Sequence, residues 1–99
     1  MKYKFDLDER LINFAVAMID ISETLPKTFA GNHIAGQLVR SGTAPALNYG
    51  EALVPESTAD FIHKISICLK ELMESRIALK IIISRNLCSV DDITKNLRQ

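Results

Sequence analysis

The sequence predicts an all-α fold in which four helices pack as one bundle domain over residues 1–99. The glycines and prolines all lie between positions 26 and 55, which leaves long unbroken segments on both sides. Apolar residues recur at three- and four-residue spacing, and no alternating strand pattern bounded by Asn-Gly or Asp-Gly turns occurs. With 99 residues the chain has room for one domain and a modest core, because small domains bury a smaller fraction of their surface.

The first predicted helix extends from about Leu7 to Leu25, with Asp6 as its N-cap and Pro26 as its stop. A step of about 100° per residue places one apolar stripe along it. The residues of this stripe are Leu7, Leu11, Phe14, Met18, Ile21 and Leu25. A second apolar group falls on nearly the opposite side and consists of Ile12, Val16 and Ile19. One stripe is enough for a bundle helix, so the second predicts a further contact.

The second predicted helix, about residues 32–53, is poor in charge, since Arg40 is the only charged residue between positions 28 and 50. Such a helix is expected at the centre of the bundle. Pro45 lacks a backbone donor and its ring crowds the carbonyl of Ser41. A kink is therefore predicted near Ser41 to Ala44.

The third predicted helix begins after Ser57 and continues to about Arg85. The stripe expected to face the core consists of Phe61, Ile62, Ile65, Cys68, Leu69, Leu72, Met73, Leu79 and Ile83. The short fourth helix is predicted from Ser89 as cap, with Val90, Ile93 and Leu97 as its apolar residues. It has barely three turns, so either the bundle is open at one end or the natural chain continues past Gln99.

Charge and hydropathy limit the classes of function. Twelve basic and twelve acidic side chains balance, so no bulk attraction toward nucleic acid or anionic membrane is expected. No apolar run approaches the ~18 residues of a membrane span, and the N-terminal residues lack the apolar region of a signal peptide, which predicts a cytoplasmic protein. The cations of the third helix point in roughly five directions; they are Lys64, Lys70, Arg76, Lys80 and Arg85. Nucleic-acid binding is possible on this pattern but weakly supported.

No enzymatic activity, cofactor or metal site is predicted. His33 and His63 are far apart in the sequence, and no nucleophile elbow, phosphate-binding glycine loop or metal-spaced pair occurs. His63 is expected to be a solvated helix histidine, and Cys68 a small core residue. Cys68 and Cys88 are too isolated to indicate a zinc site.

Four polar residues are predicted to form a structural network: Arg40, Asn48, Glu51 and Glu71. Arginine is always charged and needs a carboxylate partner if it is buried. Arg40 is therefore predicted to pair with Glu51 or Glu71. The alternative interpretation is a carboxylate pair that binds a metal or acts as acid and base.

The second apolar groups of the first and third helices predict self-association. If these residues were exposed, they would form a larger apolar patch than monomers normally show. The predicted interface of a closed homo-oligomer consists of Ile12, Val16, Ile19, Ile67, Ile77, Ile81 and Ile82. The alternative is that a longer fourth helix buries these residues.

The run from Leu38 to Ala52, LVRSGTAPALNYGEA, is followed by Phe61 and by Leu69-Lys70-Glu71-Leu72. This order of pieces resembles the bacterial four-helix-bundle family encoded in intervening sequences of the large-subunit ribosomal RNA gene, whose members are often labelled ribosomal proteins. The resemblance covers about residues 7–87. It implies an antiparallel up-and-down four-helix bundle, assembly as a homopentamer and no established enzymatic activity. The expected function is that of an interaction or assembly protein, and the alternative is a weak RNA- or ribosome-associated protein.

Overall fold

The computed structural model describes residues 6–88 together with Asp91, Ile93 and Lys95. Within these residues the chain forms three α-helices and no strand: α1 (Asp6–Glu23), α2 (Phe29–Ala52) and α3 (Thr58–Ser84). α2 packs against both of the other helices. In the described part of the chain, no helix combines the length and the apolar character that crossing a membrane requires.

The predicted four-helix bundle is wrong, since the fold is all-α with three helices among the described residues. Three long helices enclose the core, and after α3 the structure describes only Asp91, Ile93 and Lys95 of the predicted fourth helix, all three helical. Of the residues assigned to the fourth helix, Ser89, Val90, Asp92 and Leu97 lie outside the described residues. Ile93 is described, and it is buried in the core.

α3 ends in a Schellman motif, in which the backbone N–H groups of two residues beyond the cap return to the last helical turn. Asn86 has a positive φ of 58°, its N–H donates to the carbonyl of Ile83, and the N–H of Leu87 donates to the carbonyl of Ile82. Leu87 then packs against the core cluster. The chain therefore turns back onto the helices directly after α3.

Side-chain caps set the starts of two helices. α2 begins at Phe29, three residues before the predicted start, because the Thr28 side chain accepts a hydrogen bond from the N–H of Gly31 at 3.0 Å. Ser57 caps α3 in the same way through the N–H of Asp60. α2 continues through Pro45 as one helix.

α2 and α3 pack antiparallel. Glu51 pairs with Lys64, the carbonyl of Pro45 accepts from the Cys68 thiol at 3.4 Å, and the Ser41 hydroxyl accepts from Ser75 at 2.9 Å. Residue numbers therefore fall along α2 as they rise along α3.

The core lies where the three helices meet. Its fully buried large apolar side chains are Met18, Ile21, Leu38 and Ile82. On α1 the predicted stripe agrees with the burial of Leu11, Met18, Ile21 and Leu25, although Leu7 is exposed.

On α3 the predicted stripe is correct only in part, since Cys68 is buried and Leu79 packs against the core. The buried residues of this helix are Cys68, Ser75, Ala78 and Ile82. Small side chains at Ser75 and Ala78 let α3 approach α2 closely, and several bulkier residues of the predicted stripe are exposed instead. Ile62, Leu69 and Met73 are all more than half exposed.

Candidate functional site

Arg40 joins α2 to α3 through a charged cluster. Its guanidinium donates to Glu71 at 2.9 Å, to Glu74, and to the side-chain oxygen of Gln37. The hydrogen bond to Glu74, followed by the charge of Glu71, raises the pKa of Arg40 above its ordinary value. The Arg40 side chain is 52% exposed, so this is a surface cluster and not the buried network that the charge-poor helix predicted.

The predicted network is not one unit. Of the two carboxylates predicted for Arg40, the structure gives Glu71, whereas Glu51 pairs with Lys64. Hydrogen bonding to Glu51 raises the pKa of Lys64. The Asn48 amide donates to the carbonyl of Ala44 in its own helix at 3.0 Å. Glu74 completes the Arg40 cluster and was missed, although its position three residues after Glu71 on the same helix was a usable signal.

Among the described residues, the histidines and cysteines are not brought together. His33 and His63 are exposed on different helices. The Cys68 thiol is buried against the Pro45 carbonyl, and burial raises the pKa of Cys68, which keeps this thiol protonated at neutral pH. Cys88 lies 3.5 Å from the hydroxyl of Thr24. Across the described residues, no group of three or more His, Cys, Asp or Glu side chains is arranged to hold a metal ion.

α1 presents an apolar and acidic face on the side opposite the core. Ile12 and Val16 are 48% and 47% exposed, and Ile19, on the same side, is partly exposed. The exposed carboxylates around them belong to Asp8, Glu9, Asp20 and Glu23. The one cation of α1, Arg10, lies about 150° away from this row around the helix. We call this surface the α1 face.

α3 presents an apolar and basic face on the side opposite the core. Its exposed apolar residues are Ile62, Leu69, Met73, Ile77 and Ile81, between 46% and 64% exposed. Lys70, Arg76 and Lys80 are exposed among them. Of the acids of α3, Glu74 lies at the edge of this surface and Glu71 farther around the helix, and Arg40 holds both. We call this surface the α3 face.

A groove of about 510 Å³ runs along one edge of the α3 face, between α3 and the first half of α2. α2 contributes Ile34 and Gln37 to its lining. The α3 residues of the lining are Lys70, Met73, Glu74, Ile77, Ala78 and Ile81. The groove is therefore apolar along its floor and charged at its rim.

The residues predicted for an oligomer interface divide into three groups. Ile12, Val16, Ile77 and Ile81 are exposed, and Ile19 and Ile67 are partly buried. Ile82 is fully buried in the core and does not belong to a surface, because the small neighbours at positions 75 and 78 turn its side of α3 inward. The prediction omitted Ile62, Leu69 and Met73, which periodicity alone assigned to the core stripe.

Comparisons with known proteins agree with this fold. The family model described as 23S rRNA-intervening sequence protein matches residues 4–99. No curated protein matches the chain. Among solved structures, the chain is similar to a protein with unknown function from the S23 ribosomal protein family of Bacteroides thetaiotaomicron VPI-5482. The two share 29% sequence identity with a TM-score of 0.80 over 91% of this chain and 83% of that one. The match over nearly the whole length confirms the resemblance carried by the run around Arg40, and the chain belongs to the 23S rRNA-intervening sequence protein family.

Proposed function

We propose that this protein is a non-enzymatic homo-oligomer of helical subunits that acts in interaction or assembly. The observation that carries the proposal is the exposure of large apolar side chains along two of the three helices, on the α1 face and the α3 face. Monomers rarely expose contiguous apolar patches larger than a few hundred Å², and larger ones mark contact surfaces.

The total accessible surface supports the same proposal. It is 6747 Å², whereas a compact monomer of 11.1 kDa exposes about 5,700 Å². The radius of gyration is 14.6 Å, against about 12.6 Å for a compact chain of this length. The additional surface is comparable to the roughly 800 Å² that one partner buries in a stable protein–protein contact.

Light scattering after size-exclusion chromatography at several protein concentrations tests self-association. We expect a mass several times the 11.1 kDa of one chain, and the family resemblance favours five copies. A mass of one chain at all concentrations up to about 100 µM, where even weak micromolar contacts form, would refute the proposal.

A weak RNA-associated role is the second candidate, and one observation favours it. Arg76 and Lys80 are exposed within about 40° of each other around α3, with Lys70 about 80° from Lys80, and the family model is named after 23S rRNA. Clustered cations are what phosphate contacts require.

A mobility-shift assay on a structured 23S rRNA fragment at about 150 mM salt separates the two candidates. Self-association without an RNA shift supports the assembly role. A shift that weakens with salt and is abolished by Lys80→Glu supports the RNA role, whereas Lys27→Glu, which alters an exposed cation in the α1–α2 connection, serves as the control.

A further inference from the structure

The α1 face and the α3 face carry opposite charge around similar apolar rows. On the α1 face the surrounding charges are the carboxylates of Glu9, Asp20 and Glu23, joined by Asp8. On the α3 face they are the cations Lys70 and Lys80, with Arg76 beside them. Each face would therefore repel a copy of itself and attract the other.

The two apolar rows also match in length. Ile12, Val16 and Ile19 span about 10 Å along α1, and Met73, Ile77 and Ile81 span about 12 Å along α3, at the rise of an α-helix.

The charges that flank the rows are equally spaced. On α1, Glu9 lies three residues before the row and Glu23 four residues after it. On α3, Lys70 lies three residues before the row, and Arg85, the cap residue that follows the helix, lies four residues after it. The charges at the two ends of the α1 row can therefore lie beside the opposite charges at the two ends of the α3 row. This holds whether the two helices pack parallel or antiparallel.

The intramolecular salt bridges leave these charges available. Glu71 and Glu74 are held by Arg40, and Glu51 is held by Lys64. Among the described residues, none of the salt bridges involves Lys70, Lys80 or Arg85, nor any carboxylate of α1.

We propose that the α1 face of one protomer packs on the α3 face of a second copy, with Val16 beside the groove next to Ile77. The proposal rests on the self-association proposed above and assigns the two surfaces that meet. Such a contact is heterologous, because each copy uses a different surface on each side. It repeats from copy to copy and either closes into a ring or extends as a filament.

Two variants, each blocked on one face, test the pairing. Val16→Lys blocks the α1 face, and Ile77→Lys blocks the α3 face. Lysine is used in both so that the blocked faces cannot attract one another. Both positions are about half exposed, so both chains should keep the circular dichroism spectrum of the native helices. Leu47→Lys is the matched control, because Leu47 is an exposed apolar residue of α2 outside both faces.

We expect each blocked variant alone to have the mass of one chain, and the control to keep the mass of the native assembly. An equimolar mixture of the two blocked variants should form a one-to-one complex and nothing larger, since one intact α1 face and one intact α3 face remain. A native protein that is monomeric would overturn the proposed function as well. A native oligomer that persists in either blocked variant, or a mixture that stays monomeric, would overturn only the assignment of these two faces.

Discussion

Two serine hydroxyls meet at the centre of the contact between α2 and α3. Ser75 donates to Ser41 at 2.9 Å, and both side chains are buried. A buried polar group without a hydrogen-bond partner has lost its contacts with water, and no contact within the protein replaces them.

We expect Ser75→Ala to lower the free energy of unfolding by about 1–3 kcal/mol, because it leaves the Ser41 hydroxyl without its partner. The double variant with Ser41→Ala should lose less than the sum of the two single variants. Urea denaturation measures all three. Ser66→Ala is the control, since this exposed hydroxyl bonds only to its own helix. Strict additivity of the two single changes would contradict the pairing.

The buried thiol of Cys68 makes stability depend on alkaline pH. Burial raises the pKa of Cys68 in the folded chain, so the unfolded chain ionises first as the pH rises. The neutral thiol makes its full contribution to the free energy of unfolding below the pKa of the unfolded thiol, about 8.5. That contribution is lost as the pH rises through the higher pKa of the thiol in the folded chain.

The free energy of unfolding of the native protein should therefore fall faster between pH 7 and pH 10 than that of Cys68→Ala. The comparison is made by urea denaturation with reductant present, and the other titrating groups cancel between the two proteins. Parallel pH profiles would show that the thiol has the same pKa in both states.

At the scale of whole helices, α1 and α2 approach each other closely at Gly42. A Cβ added there would lie 2.5 Å from Cβ and Cγ of Met18, a residue of the core. At Gly36, in the same helix, a Cβ would meet no heavy atom within 4 Å. The two glycines therefore have different roles although both lie inside α2.

Gly42→Ala should destabilise the protein by about 1–3 kcal/mol, because α1 must move away from α2 or Met18 must leave its rotamer. Gly36→Ala should stabilise it by about 0.5–1 kcal/mol, since alanine is the better helix former. Thermal and urea unfolding measure both variants. If both substitutions change the free energy of unfolding in the same direction, the close approach of α1 to α2 does not require glycine at position 42.

The helices themselves could largely be predicted from the sequence, and their orientation only in part. From helix-breaking and capping residues, the ends of three long helices were predicted to within about three residues of the observed ends. On α1 the large apolar residues also face the core, so periodicity identified the buried side. On α3 the core side is made by Ser75 and Ala78, whose small size matters only because another helix approaches there. An argument from apolar periodicity counts only large apolar residues. It therefore assigned bulky residues such as Leu69 and Met73 to the core, and they are exposed.

For the whole molecule, self-association links stability to concentration. If the α1 and α3 faces are covered in the assembly, unfolding must also separate the chains.

The melting temperature of the native protein should therefore rise with protein concentration over a hundredfold range, whereas that of Val16→Lys should not change. Differential scanning calorimetry or circular dichroism measures both. A concentration-independent melting temperature for the native protein would indicate that the apolar faces stay uncovered.

The candidate site followed from the sequence less completely than the fold. The apolar groups on α1 and near the end of α3 were found, because they repeat at helical spacing away from the expected core. The charge of the α3 face was missed, because it depends on which acids of α3 are already engaged by Arg40, a residue of another helix. Such pairing joins residues more than thirty positions apart, and no local pattern reports it.

Arg40 consequently adds to the positive charge of a surface to which it does not belong. While it holds Glu71 and Glu74, the neighbouring side of α3 is positive. Without it, the carboxylates of Glu71 and of Glu74, which lines the groove, would be uncompensated and would offset part of the charge of Lys70, Arg76 and Lys80. A neutral residue at position 40 would thus alter partner recognition on α3 while leaving every side chain of that helix unchanged. Selection on this arginine can act through the binding surface of a different helix.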